Sequence, residues 1–202
     1  MAHETLAPWA QLVPDVGPMT EDELMELPDD DRWMYELVAG MLVRTRRSGG
    51  ETSRLGVCIA AAFFNFTEPR DLGAVLGADA GFDLTQPGEQ GETALGPDVS
   101  FTQKARIPAR DSPEYKRAWH LAPDLVVEVA SPNQYRPEMA SKSRRYLAAG
   151  SRLIWVVWPK SQQVDVWRAG ASDPIQTLTI AESLDGLDVL PGFTYPLARL
   201  FA

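Results

Sequence analysis

Pro123-Asp124-Leu125-Val126-Val127-Glu128-Val129-Ala130-Ser131-Pro132 is the stretch that decides the fold. Leu125 to Ala130 is an almost uninterrupted apolar run, the pattern of a central strand covered on both faces, and Ser131-Pro132 stops it. Downstream, Pro137 at a helix N1 position and Gly150 at C′ bracket a helix from about Arg136 to Ala149. Leu153 to Val157 and Val164 to Arg168 read as two more strands, joined by the polar turn Pro159-Lys160-Ser161-Gln162. Strands with helices on both sides predict an α/β chain built on one mixed sheet, its edge closed by Leu190-Pro191-Gly192-Phe193 and the terminal Leu200-Phe201.

Upstream of this core, Thr20 with Glu23 three residues on is a capping-box signal for a short helix that Pro28 ends. Trp33 to Val38 and Met41 to Thr45 flank Ala39-Gly40 and predict an N-terminal hairpin. From Glu51 to Phe66, Leu55, Ile59, Ala62, Phe63 and Phe66 recur at helical spacing, which predicts a helix packed on the sheet. Gly73 to Ala78 and Gly81 to Thr85 read as strands, Gln86 to Gly96 as a loop, and Ala105 to His120 as a long polar connection. Residues 1–18 are expected to form an N-terminal tail and 19–202 a single domain. With 45% hydrophobic residues, a chain of this length can bury a substantial core.

The composition narrows the chemistry. Cys58 is the single cysteine and lies in the apolar run Val57 to Phe64, so it reads as a core thiol and excludes an internal disulfide. That run is too short to span a bilayer, and Met1-Ala2-His3-Glu4 lacks the basic and apolar regions of a signal peptide, so a cytoplasmic protein is expected. The net charge of −9 sits entirely in residues 1–36, while the rest of the chain balances to zero. Such an acidic segment would repel nucleic acid unless it faces away, folds over the site as a mimic, or binds a partner. Basic residues cluster elsewhere, and Arg44, Arg46, Arg136 and Arg145 are the candidates for a nucleic-acid backbone, although solvated faces account for most clusters of this kind. His3 and His120 have no serine or cysteine nucleophile motif beside them.

Glu128 shares its strand face with Val126 and Ala130, so alternation points a carboxylate into an apolar region. Burying it unpaired costs several kcal/mol, which calls for a metal or for an ion pair with an arginine. Asp98, in Gly96-Pro97-Asp98-Val99-Ser100-Phe101, alternates with Ser100 and Thr102 and is either a ligand or a turn residue. Glu36 alternates with Met34 and Val38, as a fourth polar partner of the same site or an exposed edge glutamate. Lys142 lies in mid-helix one turn before Tyr146, where a surface lysine would be ordinary. Two carboxylates and an amine of this kind can hold a divalent metal and activate a water.

Together these segments resemble the Uma family of restriction-endonuclease-like proteins, within the PD-(D/E)XK nuclease superfamily, from about Met19 to Phe201. The resemblance rests on the acidic first helix, Tyr35-Glu36-Leu37-Val38-Ala39-Gly40, the Asp98 and Glu128 segments, Lys142 with Tyr146 and Ala149-Gly150, and Leu190-Pro191-Gly192-Phe193. It implies a restriction-endonuclease-like sheet presenting Asp98 and Glu128 to magnesium, or manganese, for hydrolysis of phosphodiester bonds in DNA. The superfamily's lysine position two residues after the second acid holds Ala130, and Lys142 takes its place in this pattern. Glu51 and Trp158 stand where the family tends to have a histidine and an acid. On this reading Asp98 and Glu128 are metal ligands, Lys142 orients the water, and Glu36 is a third acid. The alternative is a non-catalytic module that keeps the fold to bind nucleic acid or a protein. Sheet edges in the hairpin and the C-terminal strands offer contacts for a homodimer, and Trp158 and Trp167 are candidates for such an interface.

Overall fold

The structure is a computed structural model and describes residues 7–202. His3 lies outside the described residues. In chain order the elements are β1 (Gln11–Leu12), α1 (Glu21–Met25), β2 (Trp33–Val38), β3 (Met41–Arg46), α2 (Gly50–Thr67), β4 (Gly73–Gly77), β5 (Phe82–Asp83), β6 (Ala94–Leu95) and β7 (Val99–Gln103). They continue as β8 (Leu125–Val129), α3 (Arg136–Ala148), β9 (Leu153–Trp158), β10 (Gln163–Arg168), β11 (Gln176–Leu178), β12 (Ser183–Asp185), β13 (Thr194–Pro196) and α4 (Leu197–Leu200).

Every residue of β8 is buried, as a doubly covered strand requires. It pairs parallel with β9 and antiparallel with β7, and sits inside a six-stranded sheet of order β11-β10-β9-β8-β7-β4. Its odd-numbered residues, Leu125, Val127 and Val129, pack with Leu55, Ile59 and Phe63 of α2. Its even-numbered neighbours Val126 and Ala130 pack with Met139 and Tyr146 of α3. One strand therefore supplies both cores, and Glu128 falls on the α3 side. Asp98 precedes β7 and shares this side with Ser100 and Thr102, which prove to be fully buried, while Asp98 itself is partly exposed.

The expectation of one sheet is corrected. The hairpin β2-β3 belongs to a second, five-stranded sheet of order β1-β3-β2-β6-β5. Of its two-residue strands β5 falls within the expected strand Gly81 to Thr85, but two carry too little pattern to be seen: β6 lies within the Gly- and Glu-rich stretch read as a loop, and β1 pairs Gln11 with Arg44. Trp9, just before β1, is buried in the same core as Met139 and Tyr146. The hairpin turn places Ala39 and Gly40 at φ 51° and 75°, the left-handed pair that two-residue hairpins favour. Gly91 approaches so closely that a Cβ there would lie 2.7 Å from the Ala39 carbonyl.

The C-terminal segment is also placed differently from the expectation. Leu190, Phe193, Leu197 and Leu200 lie over the α2 face of the six-stranded sheet, where Phe193 meets the rings of Phe63 and Trp155 at 5.0 and 6.1 Å. They cover that face instead of closing the edge, which β11 occupies, because large apolar side chains gain more from covering a face than from pairing. Trp155 and Trp167 are core residues, and Cys58 is half-buried at the rim of the α2 core. Among the described residues no helix is long and apolar enough to cross a membrane.

Candidate active site

The two sheets and α3 bring four charged side chains from separate segments to one cleft of about 340 Å³. β7 and β8 pair with Val99 opposite Val127, which sets Asp98 and Glu128 on neighbouring strands. Asp98 Oδ2 accepts the Val129 N–H at 2.7 Å. Glu128 Oε1 accepts the Tyr146 hydroxyl at 2.9 Å and lies 3.0 Å from Lys142 Nζ. Lys142 Nζ also lies 3.0 Å from Glu36 Oε1, so the ammonium bridges two carboxylates. Glu36 in turn accepts the Gly96 N–H and the Trp9 indole N–H, each at 3.2 Å.

Lys142, Glu36 and Glu128 are all buried, at 5–7% exposure. The partner of Glu128 is this lysine, so neither an arginine nor an exposed edge describes the acids. Burial, reinforced by Asp98 and Glu36, pushes the Glu128 carboxyl up to about 7 against the opposing pull of Lys142. Burial also raises Asp98, partly offset by the Val129 N–H and Lys142. Burial works against the Lys142 charge, but Glu128 and Glu36 outweigh it and hold the ammonium well above its ordinary range. Burial and the charges of Glu128 and Glu36 keep Tyr146 protonated.

The donor set suits a hard divalent cation. Asp98 and Glu128 each have one oxygen engaged by the protein and a second, Oδ1 and Oε2, with no partner among the described residues. Two carboxylate oxygens opening into a cleft match the habit of magnesium, which binds through one or two carboxylates and keeps several waters.

Tyr146 and Trp9 also hold the site, although neither stands out as a site residue in the sequence. Tyr146 carries a signal, standing four positions after Lys142 on the same helix face. Trp9 carries none, since its contact is long-range.

The arginines are dispersed. Arg46 lines the cleft, as does Arg47. Arg44 pairs across the hairpin with Tyr35, which puts it on the face opposite Glu36, with its guanidinium 4.2 Å from the Trp33 ring. Arg136 is tied to Asp165 and to Gln163, and Arg145 to Glu89 at 2.7 Å. The acidic segment does not face away, because Glu21, Asp29 and Asp30 line the same cleft. Trp158 donates its indole N–H to Asp165 at 2.8 Å and takes no part in the cleft.

A sequence profile of the Uma2 family, described as "Putative restriction endonuclease", matches residues 21–198. No curated protein matches the chain. Among solved structures the fold is similar to that of a "putative nuclease belonging to DUF820" from Anabaena variabilis, with a TM-score of 0.72 over 91% of this chain and 98% of that one. At 19% identity this likeness establishes the restriction-endonuclease-like fold.

Proposed function

The chain belongs to the Uma2 family of restriction-endonuclease-like proteins, and on that premise we propose that it is a metal-dependent endonuclease hydrolysing phosphodiester bonds, DNA foremost. The observation that carries the reading is the buried lysine shared by two acids beside Asp98, with carboxylate oxygens of Asp98 and Glu128 left for a cation. Asp98 and Glu128 would hold magnesium or manganese, which when bound polarises a phosphoryl oxygen and lowers the pKa of a coordinated water.

The remaining work falls to the protein's own groups. Lys142 stays protonated between its two acids, so it acts as a fixed positive charge and a hydrogen-bond donor. It can orient the attacking water and offset the charge that grows on the phosphate, but it cannot take up a proton. Glu36 positions Lys142, and its anchors on Gly96 and Trp9 keep that geometry rigid. Tyr146 orients the Glu128 carboxylate through one oxygen and leaves the other for the cation. Arg46, at the cleft, is assigned to backbone phosphate. Arg44, Arg136 and Arg145 would serve the substrate only on exchanging or extending their present contacts.

One observation favours the competing reading of a non-catalytic module. The wall formed by Glu21, Asp29 and Asp30 repels a polyanion from the cleft that should receive it. Titrating magnesium or manganese while following thermal unfolding, with DNA nicking measured in parallel, separates the two. The enzyme reading expects stabilisation that vanishes in Asp98→Ala, together with nicking. Stabilisation without nicking of any DNA or RNA would leave the module.

A further inference from the structure

On the cleft wall formed by α1, a second group of ligand-type side chains converges. Glu21 opens α1, Asp83 ends β5 and His120 lies in the connection before β8, yet each offers a ligand atom within 4.8 Å of the others. The group shares no residue with the Asp98 and Glu128 site. Within it, His120 Nδ1 lies 2.8 Å from Asp83 Oδ2, and Asp83 Oδ1 accepts the Thr85 N–H at 2.9 Å. Asp83 is thus fixed from one side, and its Oδ2 stands beside His120 Nδ1 as a pair of donor atoms that one cation would take up together in place of their present contact.

Glu21 is the member that an ion pair does not explain. It is 8% exposed, and among the described residues no hydrogen bond or ion pair reaches its carboxylate. Its side chain faces a second carboxylate, which disfavours its charge, and the Asp83–His120 contact already occupies the only cationic group in the cluster. A divalent cation held by Glu21, Asp83 and His120 resolves that imbalance.

We propose that Glu21, Asp83 and His120 form a second metal site, selective for a zinc-like ion. The imidazole nitrogen sets its chemistry apart from the all-oxygen pair of Asp98 and Glu128, since nitrogen donors favour zinc and its transition-metal neighbours over magnesium. Three protein ligands with a fourth position left for water suit this ion. Its structural effect is to tie α1, and with it the acidic wall, to β5 and the connection before β8.

Zinc chloride alone is the probe, titrated calorimetrically into the full chain in excess magnesium. The proposal expects one equivalent of zinc bound by the wild type and by the Asp98→Asn/Glu128→Gln double variant. Glu21→Gln and His120→Ala should each weaken binding more than about tenfold, as even outer-sphere substitutions at metal sites do, while their far-ultraviolet circular dichroism stays that of the wild type. Glu21→Gln carries the test if His120→Ala does not fold. No stoichiometric zinc in the wild type, wild-type affinity in both single variants, or loss only in the double variant would each overturn it.

Discussion

Glu128 titrates near neutrality because its burial beside Asp98 and Glu36 outweighs the attraction of Lys142. Its folded pKa of about 7 exceeds the ordinary value of 4.5, so the native state binds more protons between those limits. The stability this confers is fully present below pH 4.5 and is lost as pH rises through 7. Stability in urea unfolding of the wild type should therefore fall by roughly 1–3 kcal/mol across that window, and Glu128→Gln should flatten the slope. Metal affinity should run the other way, rising toward about pH 8 as the carboxyl gives up its proton; calorimetry at several pH values checks it. Removing the shared cation tests the same network from the opposite side. Lys142→Met leaves two buried acids without their counter-ion and should cost about 3–5 kcal/mol at about pH 8, with added magnesium recovering more stability in the variant than in the wild type. At this scale Glu128 was legible because strand alternation forces it into an apolar face, and burying a charge is costly. The Trp9 contact with Glu36 was not, because an indole 27 positions away finds its acceptor only once the second sheet exists.

Among the elements, those with long periodic patterns were legible: β8, α2, α3 and the hairpin all occupy nearly the residues expected. Two-residue strands such as β1 and β6 have no period to read, and without them the second sheet is not legible. The same gap hid how Glu36 reaches the site. The hairpin's own alternation identifies its face, but only pairing with β6 and the packing of the two sheets bring that face toward α3. The apolar residues of the C-terminal segment specify burial without specifying which surface they cover. Phe193 touches the rings of Phe63, Phe66 and Trp155, and Phe193→Ala should cost about 3–5 kcal/mol. Thermal unfolding measures that loss. A cost below about 1 kcal/mol would mean that the segment lies loosely on the sheet.

For the whole molecule, the question is how a chain of net charge −9 meets a polyanion. The acidic residues are concentrated at one end of the sequence, and the fold sets Asp29 and Glu21 into the same cleft as Arg46 and Arg47. Affinity for DNA should then be a balance between these walls. Asp29→Asn with Asp79→Asn, both exposed at the cleft, should raise DNA retention in a filter-binding assay. Arg46→Ala with Arg47→Ala should lower it, and should reduce the slope of log affinity against log salt by about 0.9 for each phosphate no longer neutralised. Unchanged retention in both pairs would remove this cleft from the substrate path.

Nicking of supercoiled plasmid DNA, with and without magnesium, by the wild type, Asp98→Asn and Glu128→Gln tests the metal-nuclease assignment at its centre, each protein being checked for native circular dichroism. Magnesium-dependent nicking is expected of the wild type, falling at least about a hundredfold in both variants, as loss of groups acting on the transition state does. Nicking that persists undiminished in the folded Glu128→Gln protein would contradict the assignment.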